Sequence, residues 1–446
     1  MCASCSKTTS NQNNVIQREA EVEAPSASLL VRLWGATRTT FHSLTYRSFR
    51  YLWIGGWFSN VGTWLQNIAL GWLVYKLTES SATLGIVHFA SSIPVFFLSF
   101  YAGALTDRLN RRSMLVWSNG IAMVLAFILG LLVGLKLVTV ASIVAISFLS
   151  GVAFAFAFPS WQSMISELVP RKDLMNAIAL NASQFHAARL IGPAIAGIII
   201  ARLGIDWAFY LNAFSFLAVI LALYLIDYTP APRGDGAAHR GRGTSLASIR
   251  EGFAYAWKRR QVMNYLLAVG IVSVFGLSFF STLMPIFADR ILRSDIGGYS
   301  GLMSINGMGA LASSLVMAWL SGRARPVSIL RISIVGLGVS LVVFALSHIF
   351  WLSAVCMFLT GFFFLLTNST LNTAIQVSVE NEYRGRIMSI FVWMFMGLSP
   401  FGSLAAGFLG KAIGVQGTTA LAAGVILALG IVINARLALA PATQNA

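Results

Sequence analysis

Few residues in this chain are of types that do chemistry, and those few stand in apolar surroundings. Arg189 is the clearest. It follows Ala187-Ala188 and precedes Leu190-Ile191, and its nearest acids in sequence are Asp173 and Asp206. A guanidinium so placed suits an anionic ligand. Alternatively it donates to carbonyls or amides of a facing helix and locks a gate. The sequence leaves both readings open. His186 lies one helical turn earlier, at i, i+3, and either titrates near neutral pH or is a hydrogen-bonded packing residue; His88 carries the same choice. Amides and indoles supply the remaining polar handles: Asn60, Gln66, Asn67, Trp161, Gln162, Asn306, Asn368, Asn372 and Gln376. The last three recur at i, i+4 and i+8 and so form one stripe on a helix. Phe358, Phe362, Phe363 and Phe364 precede that stripe. Aromatics with amides suit a large amphipathic ligand, although the same phenylalanines would also sit well in lipid.

No covalent or metal chemistry is visible. Five histidines and 15 acids are scattered, with no nucleophile beside a base. Cys2 and Cys5 form one C-x-x-C without a second pair, and Cys356 reads as a buried small hydrophobe. No G-x-x-x-x-G-K-S/T phosphate loop occurs. The expectation is therefore no enzyme, no cofactor and no metal.

These side chains must be positioned inside a membrane. Of 446 residues, 57% are apolar and 10% charged, and the mean hydropathy is +0.76. Soluble domains carry about 25% charged residues, so a soluble enzyme, a disordered chain and a nucleic-acid binder are excluded. Apolar segments near 50–75, 82–105, 113–135, 138–164, 177–202 and 206–226, then 262–288, 297–321, 327–347, 350–377, 388–411 and 417–438, predict twelve transmembrane helices. The expected division is a polar head over 1–48 with an interfacial helix around Arg32, Arg38 and Arg47. A six-helix bundle follows over 49–227, a central loop over 228–261, a second bundle over 262–438, and a tail over 439–446. Within the loop, Ser245–Lys258 places Leu246, Ile249, Phe253, Ala256 and Trp257 on an amphipathic face that suits the inner leaflet.

The two bundles echo each other. Tyr51, Leu52, Gly56 and Gly62 match Tyr265, Leu266, Gly270 and Gly276 at an offset of 214; Gly85 matches Gly301 at 216; Ser113 and Leu115 match Ser328 and Leu330 at 215. Leu174-Met175-Asn176 resembles Ile387-Met388-Ser389, and Gly192, Gly197 and Gly204 match Gly402, Gly407 and Gly414 at 210. Two halves of equal topology imply a parallel repeat about an axis along the membrane normal. The net charge of +16 reports orientation: 24 of the 31 Lys and Arg fall in the termini and even-numbered loops, which places both termini and the central loop in the cytoplasm.

After span 2 the chain reads Gly103-Ala-Leu-Thr-Asp107-Arg108-Leu-Asn110-Arg111-Arg112. Gly103 permits close helix approach. Asp107 suits a helix N-terminus or a basic partner. Arg108, Arg111 and Arg112 can anchor at the inner leaflet or bridge to acids. This stretch resembles the span 2–3 signature of the major facilitator superfamily, with Asn110 in place of the usual Gly as a residue that tolerates a left-handed turn. The second copy, Leu320-Ser-Gly322-Arg323-Ala-Arg325-Pro326, keeps basic residues and loses the Asp. Gly192-Pro193 and Gly197 in span 5 resemble a shortened antiporter motif. There Pro193 can bend the helix, and the glycines let a neighbour pack closely; ordinary kinked packing is the competing reading. The run from Glu167 to Gly197, with Pro170-Arg171, Asp173 and Asn176, resembles the branch of bacterial exporters that includes the enterobactin exporter and the transmembrane secretion effectors. So do Phe49-Arg50-Tyr51-Leu52-Trp53 and Gly71-Trp72.

The resemblance implies an all-α membrane protein of two pseudo-symmetric six-helix bundles, with spans 1, 4, 7 and 10 lining a central cavity. It implies a monomer in the bacterial cytoplasmic membrane that exports a small amphipathic or anionic molecule, siderophore-like or drug-like, by alternating access. Proton antiport comes from the resemblance and not from these residues, because no mid-membrane carboxylate is visible. His186, His88, Asp289 and Glu167 are the only groups offered as proton carriers. Import or uniport of a metabolite on the same fold, or a non-transporting membrane protein, are the alternatives. Expected partners are membrane lipids, the substrate and protons, and no nucleic acid.

Overall fold

The computed structural model describes residues 41–228, 246–320 and 325–439. Cys2, Cys5, Arg32, Arg38, most of the central loop and residues 321–324 of the second motif copy lie outside the described residues. Twelve long helices follow one another: α1 (Arg47–Thr78), α2 (Ser81–Arg108), α3 (Arg111–Gly134), α4 (Val140–Leu168), α5 (Leu174–Leu203), α6 (Ile205–Leu225), α7 (Arg260–Ile291), α8 (Ile296–Leu320), α9 (Pro326–Leu346), α10 (Phe350–Ser378), α11 (381–413) and α12 (415–439). A shorter linker helix, Leu246–Lys258, joins the halves. Among the described residues ten stretches are long and apolar enough to cross a membrane; Asn381–Asn434 takes in α11 and most of α12. The remaining helix, α1, has 32 residues and is more polar.

Helix ends are fixed by local chemistry. Ser80 caps α2 through the Thr83 amide, and Thr139 and Ser142 cap α4 reciprocally. Asn110 departs from the sequence expectation: at φ −73° it is extended, not left-handed, and its side chain caps α3 by accepting from the Arg112 and Ser113 amides. Gly204 and Gly414, repeat mates, have φ +107° and +80°. Each is a one-residue corner, between α5 and α6 and between α11 and α12, in a conformation that glycine alone adopts cheaply.

The repeat seen in sequence is also a repeat of packing. In the first half α1 packs on α5 and α6, α2 on α4, and α3 on α4 and α6. In the second, α7 packs on α11 and α12, α8 on α10, and α9 on α10 and α12. The halves meet along two seams, α5 with α8 and α2 with α11, which are mates as well. The glycine matches explain the close approaches. A Cβ at Gly192 would strike Trp64 and Val61 of α1, and one at Gly402 would strike Ser278 and Val274 of α7. Each half has a buried apolar cluster of its own and a larger one runs through both, whereas outward residues such as Phe214, Ile332 and Val355 stay exposed to meet lipid.

The halves also differ. α1 is a regular helix, but its mate α7 carries two π-helical stretches, Val272–Ser278 and Phe287–Ile291, and α11 carries one at Trp393–Gly397. The linker helix does not rest its apolar face on lipid alone. Phe253 meets Trp393, Gly252 sits against Ile390 and Arg386 of α11, Glu251 pairs with Arg386, and Ala256 is fully buried. Trp257 points away from that contact and is 79% exposed.

Candidate functional site

The end of the molecule that holds the start of α1, the linker helix and the end of α12 is called here the linker face; the opposite end is the far face. At the far face the halves are clasped. Tyr75 donates its phenol O–H to Asp289, and Lys76 reaches the same carboxylate at 2.9 Å. Arg290 donates to Glu79 at 2.9 Å, and Trp72 stacks on Tyr299 with ring centres 5.9 Å apart. Lys76 and Arg290 are repeat mates at offset 214, so each half's cation takes the other half's acid. Glu79 and Arg293 share that offset, and both are left-handed, at φ 49° and 50°. The ion pairs are partly solvated, with side chains 29% to 73% exposed. Pairs of that kind contribute about 0–1 kcal/mol each, so the clasp is a weak contact.

Below the clasp the seams tighten. On α5/α8, a Cβ at Gly197 would meet the Ser300 hydroxyl, and one at Gly307 would meet the Arg189 carbonyl. On α2/α11, Ser81 donates to the Gly407 carbonyl at 2.9 Å, and Gly407 lies against the Gly85 backbone.

At mid-depth, Arg189 of α5 donates to Asn306 Oδ1 of α8 at 2.6 Å, and Asn306 donates to the Met357 carbonyl of α10 at 3.1 Å. The Arg189 guanidinium carbon lies 5.7 Å from the Trp64 ring centre, and Trp64 meets Phe185 edge-on. Two buried nitrogens here, Arg189 Nε and His186 Nδ1, have no hydrogen-bond partner among the described residues. The structure thus brings two residues singled out from the sequence, Arg189 and Asn306, into one contact across the halves, with His186 beside it. The opposite seam holds Phe89, Phe96, Phe401 and Trp393 at the same depth, in a chain of ring contacts 5.1–6.0 Å long.

The other sequence candidates are placed separately. Trp161 donates to Asn181 at 3.0 Å, tying α4 to α5, and Gln66 accepts from Asn212 of α6 at 2.7 Å. Gln376 bonds Asn372 one turn away. Asn60, Asn67, Gln162 and Asn368 hold no hydrogen bond among the described residues, and Asn67 and Gln162 are exposed. Phe364 is buried and meets Phe395 of α11, while Phe363 covers Gly336 of α9; neither simply faces lipid. Gly192 and Pro193 are buried within α5.

At the linker face, Arg111 pairs with Glu167 at the end of α4, and Tyr228 donates to the other Glu167 oxygen at 2.6 Å. Arg112 donates to the Tyr224 carbonyl of α6 at 3.3 Å. Gly103, Asp107 and Arg108 lie in the last turns of α2, and their side chains are outside the described residues. Asp173 accepts from Tyr46 at 2.6 Å, and Asn176 accepts the Ser43 amide at 3.0 Å. The Tyr46 phenol is pushed up by that bond to Asp173, which keeps it a donor. The run from Glu167 to Asn176 therefore knots the α4–α5 turn to the start of α1 and to α3.

The clasp is the feature that sequence reading missed. From the sequence Asp289 stands only as a candidate proton carrier, and Glu79 is not singled out. The usable signal was the offset of 214, which sets Tyr75 level with Asp289 and Lys76 level with Arg290.

A family model described as transmembrane secretion effector matches residues 38–446, which takes in all of the described residues. This chain belongs to that family of the major facilitator superfamily. As a member, the transporter is an integral membrane protein, and its family is one of transporters rather than enzymes. It is 26% identical to the staphyloferrin A transporter of Staphylococcus aureus over 365 residues, covering 80% of this chain and 88% of that one. Identity is 26% with the multidrug efflux pump Tap of Mycolicibacterium fortuitum, over 84% and 92% of the two chains. It is 24% with the enterobactin exporter EntS of Shigella boydii, over 82% and 86%. The fold is shared with the nucleoside transporter NupG at a TM-score of 0.70 and 15% identity, over 87% of this chain and 99% of that one. It is shared also with a POT family peptide transporter at 0.68 and 12%, over 88% and 96%.

Proposed function

We propose that this transporter is a secondary active exporter of small amphipathic or anionic molecules across a bacterial cytoplasmic membrane, working by alternating access. The observation that carries the reading is the distribution of contacts between the halves. The contacts described between them, Tyr75 and Lys76 with Asp289, Arg290 with Glu79, Ser81 with Gly407, Arg189 with Asn306 and Phe96 with Trp393, lie from mid-depth to the far face. Toward the linker face the contacts stop at Arg189–Asn306 on one seam and Phe96–Trp393 on the other.

The Lys and Arg census assigns the linker face, with both termini, to the cytoplasm. The structure then corresponds to the inward-open state, with the clasp as the closed outer gate. The moving units are the bundles over 49–227 and 262–438, rocking about the mid-depth contacts. A monomer suffices for this cycle.

Substrate enters from the cytoplasm and reaches Arg189. An anionic oxygen that takes the guanidinium from Asn306 exchanges a charged-to-neutral hydrogen bond for a charged pair. It also removes one of the few polar bonds that hold α5 to α8. Ligand binding and seam opening are then the same event, as a population shift requires. The relatives named for staphyloferrin A and enterobactin make a siderophore-like anion the first substrate class to test; the relative named as a multidrug pump makes drug-like amphiphiles the second. Export is coupled to proton entry, with His186 beside the latch and Asp289 in the clasp as the titrating groups.

Efflux from proteoliposomes tests the reading. A catecholate or carboxylate siderophore should leave against its gradient when the trans side is acid, and collapse of the pH gradient should stop it. Uptake driven in the opposite sense, or efflux indifferent to the gradient, would overturn export or antiport respectively.

A further inference from the structure

The two seams are mates, but one of them is incomplete. On α2/α11, Ser81 closes the far-face end by bonding Gly407, and Leu283 and Ser81 fill the space at Gly410. On α5/α8 the mate of Ser81 is Gly297, which has no side chain to offer. A groove of about 440 Å³ remains there, between Ala194, Ile198 and Arg202 of α5 and Gly297, Gly301 and Ser304 of α8. It is lined by these two helices alone and is almost wholly apolar. Ser304 lines its depth and is 8% exposed, and its hydroxyl, itself buried, has no hydrogen-bond partner among the described residues. In hydrocarbon such a hydroxyl is costly to leave unpaired. Arg202, exposed at the last turn of α5, stands at the mouth.

We propose that this groove is a binding site for a membrane phospholipid of the far-face leaflet. One acyl chain lies over Gly301 and Ile198, the ester oxygens face the Ser304 hydroxyl, and the phosphate rests on Arg202. Charge and polarity select the occupant: a cation at the interface and a donor below it, on an otherwise apolar wall, match a headgroup, an ester and a chain in that order. The lipid completes the seam that Ser81 completes on the other side, and so favours the closed far face.

The test is native mass spectrometry of the full-length, detergent-purified protein titrated with phosphatidylglycerol or with uncharged diacylglycerol. A Cβ at Gly301 meets nothing within 4 Å, so Gly301→Leu fills the groove without displacing the helices. Retention of phosphatidylglycerol should fall roughly 10-fold in Gly301→Leu, and the preference for it over diacylglycerol should fall roughly fivefold in Arg202→Gln. Ile198→Trp, from the facing wall, should repeat the Gly301→Leu result; it serves if that variant loses its thermal transition. Unchanged retention in a folded groove-filling variant, or an unchanged lipid preference in Arg202→Gln, overturns the site.

Discussion

The α5/α8 and α2/α11 seams have the same backbone plan and different chemistry. Both bring a glycine, Gly197 or Gly407, against the first turns of the partner helix near the far face. At mid-depth they part company. One seam holds a buried guanidinium on an amide, the other a run of aromatic rings. A hydrogen bond from a charged donor contributes about 1.5–3 kcal/mol, against about 0.5–1.5 for each aromatic pair beyond its burial. The polar contact is also the one an ion can replace. The comparison teaches that the duplicated scaffold repeats its backbone packing while its mid-depth chemistry does not repeat: one seam carries the polar bond, the other the rings.

The largest effect should come from abolishing the polar side. Arg189→Gln should reduce transport by about 100-fold while the protein still folds, because the loss removes both the bond to Asn306 and the proposed anion site. Retained efflux in that variant would leave α5/α8 no more sensitive to ligand than α2/α11. Asn306→Asp sharpens the same point: a charged pair should hold the seam shut and slow turnover by about 10-fold, visible as reduced labelling of far-face cysteines.

Glycine replacement distinguishes the seams by what it hits. At Gly407 a Cβ meets backbone of Ser81 and Gly85 at 2.7–2.8 Å; at Gly197 it meets the rotatable Ser300 hydroxyl. Gly407→Ala should therefore cost the closed far face about 1–3 kcal/mol, and Gly197→Ala clearly less, read as the gain in far-face cysteine accessibility. Equal accessibility in the two would mean that the seams tolerate bulk alike. The smallest effect belongs to the clasp. A double-mutant cycle with Lys76→Gln and Asp289→Asn should give a coupling of about 0–1 kcal/mol that shrinks with added salt.

Much of the fold was legible because lipid imposes a simple rule on composition. Each helix needs about 20 apolar residues, and the expected spans end close to the helix ends, except that span 11 begins at Asn381, well before the expected 388. The repeat was legible because glycine spacing records helix contacts, and the packing of Gly192, Gly197, Gly402 and Gly407 accounts for it. The candidate site was legible only as an inventory. Periodicity within one helix tells which residues share a face, not which helix that face meets. Arg189 and Asn306 were both noted and not paired for that reason, and Asp289 was noted without Tyr75 and Lys76. Asn110 was misjudged because one residue type serves left-handed turns and helix caps equally, and only the direction of the following helix decides. The π-helical stretches in α7 and α11 left no mark in the sequence reading, whose periodicity stops at the helix as a unit.

The paired corners at Gly204 and Gly414 have a consequence for how force travels. With a single residue at each bend, there is no slack to absorb a displacement, so a tug on α5 or α11 is delivered to α6 or α12 undiminished. These hairpins behave as bent levers of fixed length. Epitope tags or spacers inserted at either bend should uncouple the outer helices from the seams and disable the machine without unfolding it.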